Sequence, residues 1–142
     1  MSLRFVIPAL FAALCALPAS AEVTKAQRAK VDALWLIAID NWAPMFNCGA
    51  TNHGSDKFLR AHWKPMREGA FDAMKKAGWS GAELTKLRQR TEIDALMLPP
   101  DTRFDAYLDY CQKHKDWAMR AVKADLFEID REVKRALGMK HP

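Results

Sequence analysis

The sequence is poor in the residues that most active sites are built from. Beyond position 21 it keeps only two serines, Ser55 and Ser80. Neither lies in a Gly-x-Ser-x-Gly elbow, which excludes the usual hydrolase nucleophile. A Cys-x-x-Cys-His run is missing, so covalent haem attachment has no anchor. Neither His-x3-His nor Cys-x2-Cys spacing occurs, and a zinc site normally needs such closely spaced ligands. The histidines at 53, 62, 114 and 141 are scattered, and so are the methionines. His53, His62 and Cys48 are the one combination that suggests a metal carrier, but no metal or other cofactor is expected from that pattern. There is no glycine-rich phosphate loop or dinucleotide fingerprint. Strict apolar alternation of useful length is lacking as well, which removes the main signal for β-strands and leaves an all-α reading.

Cysteine is scarce, and its placement is informative. Arg4, the apolar run from Phe5 to Leu17, Pro18 and the small-residue triplet Ala19-Ser20-Ala21 read as a secretory signal peptide spanning 1–21. Cleavage after Ala21 removes Cys15 and leaves a single domain over 22–142 with two thiols, Cys48 and Cys111. In an oxidising compartment two remaining thiols pair, so a Cys48–Cys111 disulfide is expected. The compact leader points to the bacterial periplasm, or secretion, as the destination. No later stretch reaches about 18 uninterrupted apolar residues, so no transmembrane anchor is expected after cleavage.

Charge is unevenly spread. Nine basic residues lie between Lys57 and Arg90 against only Glu68, Asp72 and Glu83. This local excess of six positive charges suits an acidic protein or an anionic envelope component. Nucleic acid is not an expected partner, because the leader directs the chain away from it.

Helical spacing accounts for the rest of the chain. Thr24 can cap a first helix whose stripe is Val31, Leu34, Trp35, Ala38 and Trp42. Leu36, Ile37 and Ile39 widen that stripe almost all round, which predicts a central helix or an oligomer contact. Pro44 is expected to stop it. A turn-rich loop follows over 47–56, then a helix capped by Ser55 or Asp56 and kinked or broken at Pro65. Gly78 ends that helix, and Ser80-Gly81-Ala82-Glu83 forms a capping box for the next. After Pro99-Pro100, a stripe of Phe104, Tyr107, Leu108, Cys111, Ala118, Val122, Ile129, Val133 and Leu137 predicts inward-facing helix, either one rod or two with a bend between Lys113 and Trp117. The expected architecture is a compact bundle of four to five helices with one disulfide.

The expected function is non-catalytic binding by an exported accessory protein. His53, His62, Trp63, Lys64 and Arg67 form the predicted docking surface, since an aromatic set among cations is a common make-up for a binding hot spot. No catalytic residue is assigned. The alternatives are a cell-envelope hydrolase acting through Glu68 and Asp72, and a small metal or ligand carrier.

Overall fold

In the computed structural model the described residues are 23–49, 53–122 and 127–139. The predicted signal peptide lies outside them. They form seven α-helices and one π-helical turn, with no strand among them. The helices are α1 (Lys25–Pro44), α2 (His53–Lys76), α3 (Gly81–Thr91), α4 (Ile93–Leu96), α5 (Phe104–Lys113), α6 (Trp117–Val122) and α7 (Ile129–Ala136). The π-helical turn, Met45–Gly49, follows α1 directly. The helical reading and the disulfide hold, but four to five helices become seven. The excess comes from the short helix α4 and from division of the last third into three pieces, α5, α6 and α7, the first break falling between Lys113 and Trp117.

Local signals set several ends. Thr24 Oγ1 accepts the Gln27 N–H at 3.1 Å and Gln27 Oε1 accepts the Thr24 N–H at 3.0 Å. Ser80 and Glu83 repeat this reciprocal cap at the start of α3, at 3.3 and 2.7 Å. Gly78 (φ 94°) and Gly138 (φ 69°) adopt the left-handed conformation that terminates a helix, an arrangement costly for residues with a β-carbon.

Other boundaries depart from expectation. Pro44 does not stop the chain's helical course, which widens into the π-helical turn. That turn and the start of α2 at His53 absorb most of the anticipated 47–56 loop, and Ser55 and Asp56 fall inside the first turn of α2. The expected interruption at Pro65 is also absent. Leu59 and Trp63 before the proline, and Ala70, Phe71 and Met74 after it, are buried in the same core. Keeping them in one rod outweighs the roughly 3 kcal/mol that an internal proline costs.

α2 is the central element, packed against α3 on one side and α7 on another, while α7 also lies on α1. Aromatic rings fill the centre. Trp63 meets Trp42 at 5.2 Å between centroids, Phe46 at 6.4 Å and Trp35 at 6.5 Å, and Trp35 stacks on Phe71 at 5.0 Å. Each of these tryptophans has a partner for its indole N–H: Met74 Sδ for Trp35, the Phe127 carbonyl for Trp42 and the Thr91 carbonyl for Trp63. Such pairing matters because an unsatisfied buried donor costs about 1–3 kcal/mol. Contrary to the central-helix expectation, α1 is not covered all round. Its Leu36 is 59% exposed and Ile37 is also exposed.

α5 is attached differently from the others. None of its residues is buried. It is tied to the π-helical turn by the Cys48–Cys111 disulfide, with Cα atoms 5.6 Å apart. Of the predicted inward stripe, Ile129 and Val133 are buried and Tyr107, Cys111 and Leu137 half-buried, but Phe104 is 74% exposed, Leu108 50% exposed and Ala118 faces solvent too; the side chain of Val122 lies outside the described residues. The α5 face that meets the body is instead carried by Tyr107, Tyr110 and Cys111. Asn47 organises that junction. Its Nδ2 donates to the carbonyls of Ala43 and Leu96 at 2.8 and 2.9 Å, its Oδ1 accepts the Leu98 N–H at 2.7 Å, and its carbonyl accepts the Tyr107 hydroxyl at 2.9 Å. Burial raises the Tyr110 phenol above its usual pKa; an Asn47 hydrogen bond opposes the shift and the charge of Asp40 adds to it.

Candidate functional site

The five predicted site residues all lie on α2, but helical rotation sends them in opposite directions. Trp63 is 0% exposed at the centre of the aromatic core. Arg67, four residues on, is also buried. Its Nη1 donates to the Thr91 carbonyl at 3.1 Å and pairs with Glu92 at 2.9 Å, and its Nη2 pairs with Glu68 at 3.2 Å. Its Nε is buried without a hydrogen-bond partner among the described residues. Burial alone would lower the Arg67 pKa, yet Glu92 and Glu68 outweigh it and hold the guanidinium above its usual value. Trp63 and Arg67 therefore bind α2 to α3 from within and have almost no surface to offer a partner. His53, His62 and Lys64 are exposed. His62 stacks on Phe58 with centroids 4.0 Å apart, its Nδ1 2.8 Å from the Phe58 carbonyl oxygen.

Glu68 has a fixed partner set. Arg88 Nη1 approaches its carboxylate at 2.7 Å to Oε1, with Arg67 on the other side. Arg88 in turn lies over the Phe71 ring at 4.3 Å. Partial burial would raise the Glu68 pKa, but hydrogen bonds and charge from Arg88 and Arg67 bring it below the usual carboxylate range. A general acid for glycoside cleavage needs the opposite shift. The charge-clamp role therefore accounts for Glu68 better than the hydrolytic one. Among the described residues no three His, Cys, Asp or Glu side chains gather into a metal-binding group, and the Cys48 sulfur is bonded to Cys111.

A concave surface lies elsewhere, between α1 and α3. These two helices flank α2, and two adjoining hollows of about 400 and 680 Å³ run between them. On the α1 side the walls are Asp32, Leu36, Ile39 and Ala43; on the other side they are Lys86, Leu87 and Arg90, continued by Ala95 and Leu96 of α4. Trp35 and Met74 lie at the bottom of the first hollow. One end is crossed by an ion pair between Arg28 and Glu83 at 2.9 Å, with the Arg28 guanidinium also 4.5 Å above the Trp79 ring. Hydrogen bonds from Ser80, joined by the charge of Arg28, hold the Glu83 carboxyl below its usual range.

Lys86 and Arg90 line both hollows. Both are exposed and neither has a carboxylate partner among the described residues. Lys57, Lys64, Lys75 and Lys76 on α2 share that state, whereas Arg60, Arg67 and Arg88 are engaged with Asp56, Glu68 and Glu92. The basic segment thus separates into an internal clamp and a set of six surface cations. The sequence reading missed the groove because its walls come from positions more than forty residues apart. Its available signal was narrow: Glu83, Lys86, Leu87 and Arg90 share one helical stripe, and Leu36 and Ile39 are the residues that over-widen the face of α1.

Comparison with known proteins finds no matching family model, no similar curated protein and no similar solved structure. The functional reading therefore stands on this chain's own chemistry.

Proposed function

We propose that this chain is an exported, non-catalytic binding protein that engages an acidic partner protein through its basic surface. The observation that carries the reading is the group of six exposed cations, Lys57, Lys64, Lys75, Lys76, Lys86 and Arg90, without carboxylate partners among the described residues. Unneutralised charge of one sign draws an oppositely charged partner and speeds its approach. The leader-like residues 1–21 and the disulfide support placing the protein in the periplasm.

The residues that act in this reading are not Trp63 or Arg67, which are buried. Purified mature protein used as bait in periplasmic extract is expected to retain an acidic protein that is released as salt rises. The charge-reversed variant K64E/K75E/K86E/R90E is expected to retain none of it. Equal retention by wild type and variant, with folding shown intact by circular dichroism, overturns the reading. Intact mass of the native protein tests the location: a chain beginning at Glu22 is expected, and one that retains Met1 excludes export by this leader.

A further inference from the structure

We propose that the groove between α1 and α3 is the partner-binding site and that it takes one amphipathic α-helix of the partner, with acidic residues on its flanks. The inference rests on the acidic-partner reading above and adds the site, the secondary structure of the ligand and its polarity.

The shape comes first. α1 and α3 supply the two walls, and Met74 of α2 lies beneath the first hollow. From Arg28 to Ala43 the α1 wall runs about 22 Å at 1.5 Å per residue. That length matches roughly four helical turns. Helix-in-groove recognition uses such a channel, with apolar anchors from one face of the ligand helix seated between two receptor helices. The apolar contacts are supplied by Leu36, Ile39 and Ala43 on one wall and Leu87 and Leu96 on the other. Leu36 is more than half exposed, which leaves apolar area to be covered. Strand addition is disfavoured, because it requires an open sheet edge and the described residues contain no strand. A flat membrane surface fits less well, since it would not reach Trp35 and Met74, which are buried at the bottom of the first hollow.

Charge sets the composition and the direction. Arg28 and Glu83 neutralise each other at one end. Towards the α4 end stand Lys86 and Arg90, four residues apart on α3 and so about 6 Å apart along its axis. A pair of carboxylates spaced four apart on a ligand helix repeats that interval. Asp32 is an exposed carboxylate on the α1 wall of the first hollow. The ligand helix therefore has its acidic residues at the α4 end and a neutral or basic residue opposite Asp32.

The test uses the mature protein and three fluorescein-labelled synthetic helices of about 18 residues. One carries a leucine stripe flanked by glutamates four apart, one replaces each glutamate by lysine, and one scrambles the first. The glutamate helix is expected to bind and to change the emission of the tryptophans lining the groove, and the scrambled helix is not. K86E/R90E is expected to weaken it at least tenfold and to gain affinity for the lysine helix. Leu36→Asp is expected to weaken the glutamate helix to a similar degree. The control K113E/K115E, exposed at the end of α5 and outside both hollows, is expected to bind as wild type does, and K57E/K64E/K75E on α2 is expected to weaken binding less than K86E/R90E does. If binding follows the α2 lysines and ignores Lys86, Arg90 and Leu36, the groove is not the site while the acidic-partner reading survives. If no acidic helix binds but the extract partner is still retained, the ligand is not a helix. If only phosphatidylglycerol vesicles bind, both readings fall.

Discussion

The ring of Trp117 occupies the space where a side chain on Gly49 would begin. A β-carbon built on Gly49 would lie 2.7 Å from Cζ3 of that ring and 3.0 Å from Cε3. Gly49 closes the π-helical turn, one residue after the bridged Cys48. This contact brings α6 against the turn, so one missing methyl group allows the chain to return after α5.

Gly49→Ala is accordingly expected to push Trp117 off the turn. Overpacking of this kind costs about 1–3 kcal/mol. Urea unfolding of the variant measures the loss, and a blue-to-red shift of tryptophan emission reports the newly wetted indole. A variant as stable as wild type, with unchanged emission, would show that α6 can move aside without cost.

The disulfide has a similar, larger role for α5, which buries no residue of its own. Cross-linking positions 63 residues apart stabilises by about 4 kcal/mol in the chain-entropy model. Cys48→Ser/Cys111→Ser is expected to lose up to that amount in urea unfolding. Amide exchange should show faster exchange over 104–113 than over the core of α2. Protection of α5 equal to that in the oxidised protein would mean that Asn47 and Tyr107 hold it alone.

Trp63→Ala is expected to cost about 3–5 kcal/mol, because it removes a fully buried indole and leaves the Thr91 carbonyl with one donor fewer. Trp63→Phe retains most of the packing and should cost visibly less. Any loss of partner capture in the alanine variant should vanish under conditions where the protein remains folded. Weakened capture by a stably folded Trp63→Phe would place this residue at the interface after all.

Acid stability tests the Glu68 clamp. The native carboxyl titrates below its ordinary value near 4.5. Its contribution is thus fully present above that unfolded-state value and is lost as pH falls through the lower folded value. Glu68→Gln removes the contribution at neutral pH, so its stability should fall less than that of wild type as pH drops from neutral through and below that ordinary value. Salt should shrink the difference, since the pair is about a third exposed. Parallel pH curves for the two proteins would remove Glu68 from the list of acid-sensitive groups.

The portion of this architecture legible in the sequence is governed by neighbours in the chain. Thr24 with Gln27, Ser80 with Glu83, and the glycines at 78 and 138 act over a few residues, so their helix ends could be read directly. Cys48 and Cys111 could be paired at long range only because the expected cleavage leaves no other thiol. The core stripe of α1 was readable because periodicity encodes one buried face.

Tertiary packing decided what periodicity leaves open. A stripe says which side chains share a face, but not which face another helix covers. Trp63 and Arg67 turn inward because the end of α3 supplies the Thr91 carbonyl and the next residue is Glu92, whereas Phe104 and Leu108 remain exposed because nothing among the described residues lies over them. Pro65 stays within a helix because the core on both sides of it favours one rod. The groove has the same origin: Leu36 and Arg90 become neighbours of one channel only when α2 holds α1 and α3 apart, and that separation is a property of three packed helices that no single segment contains.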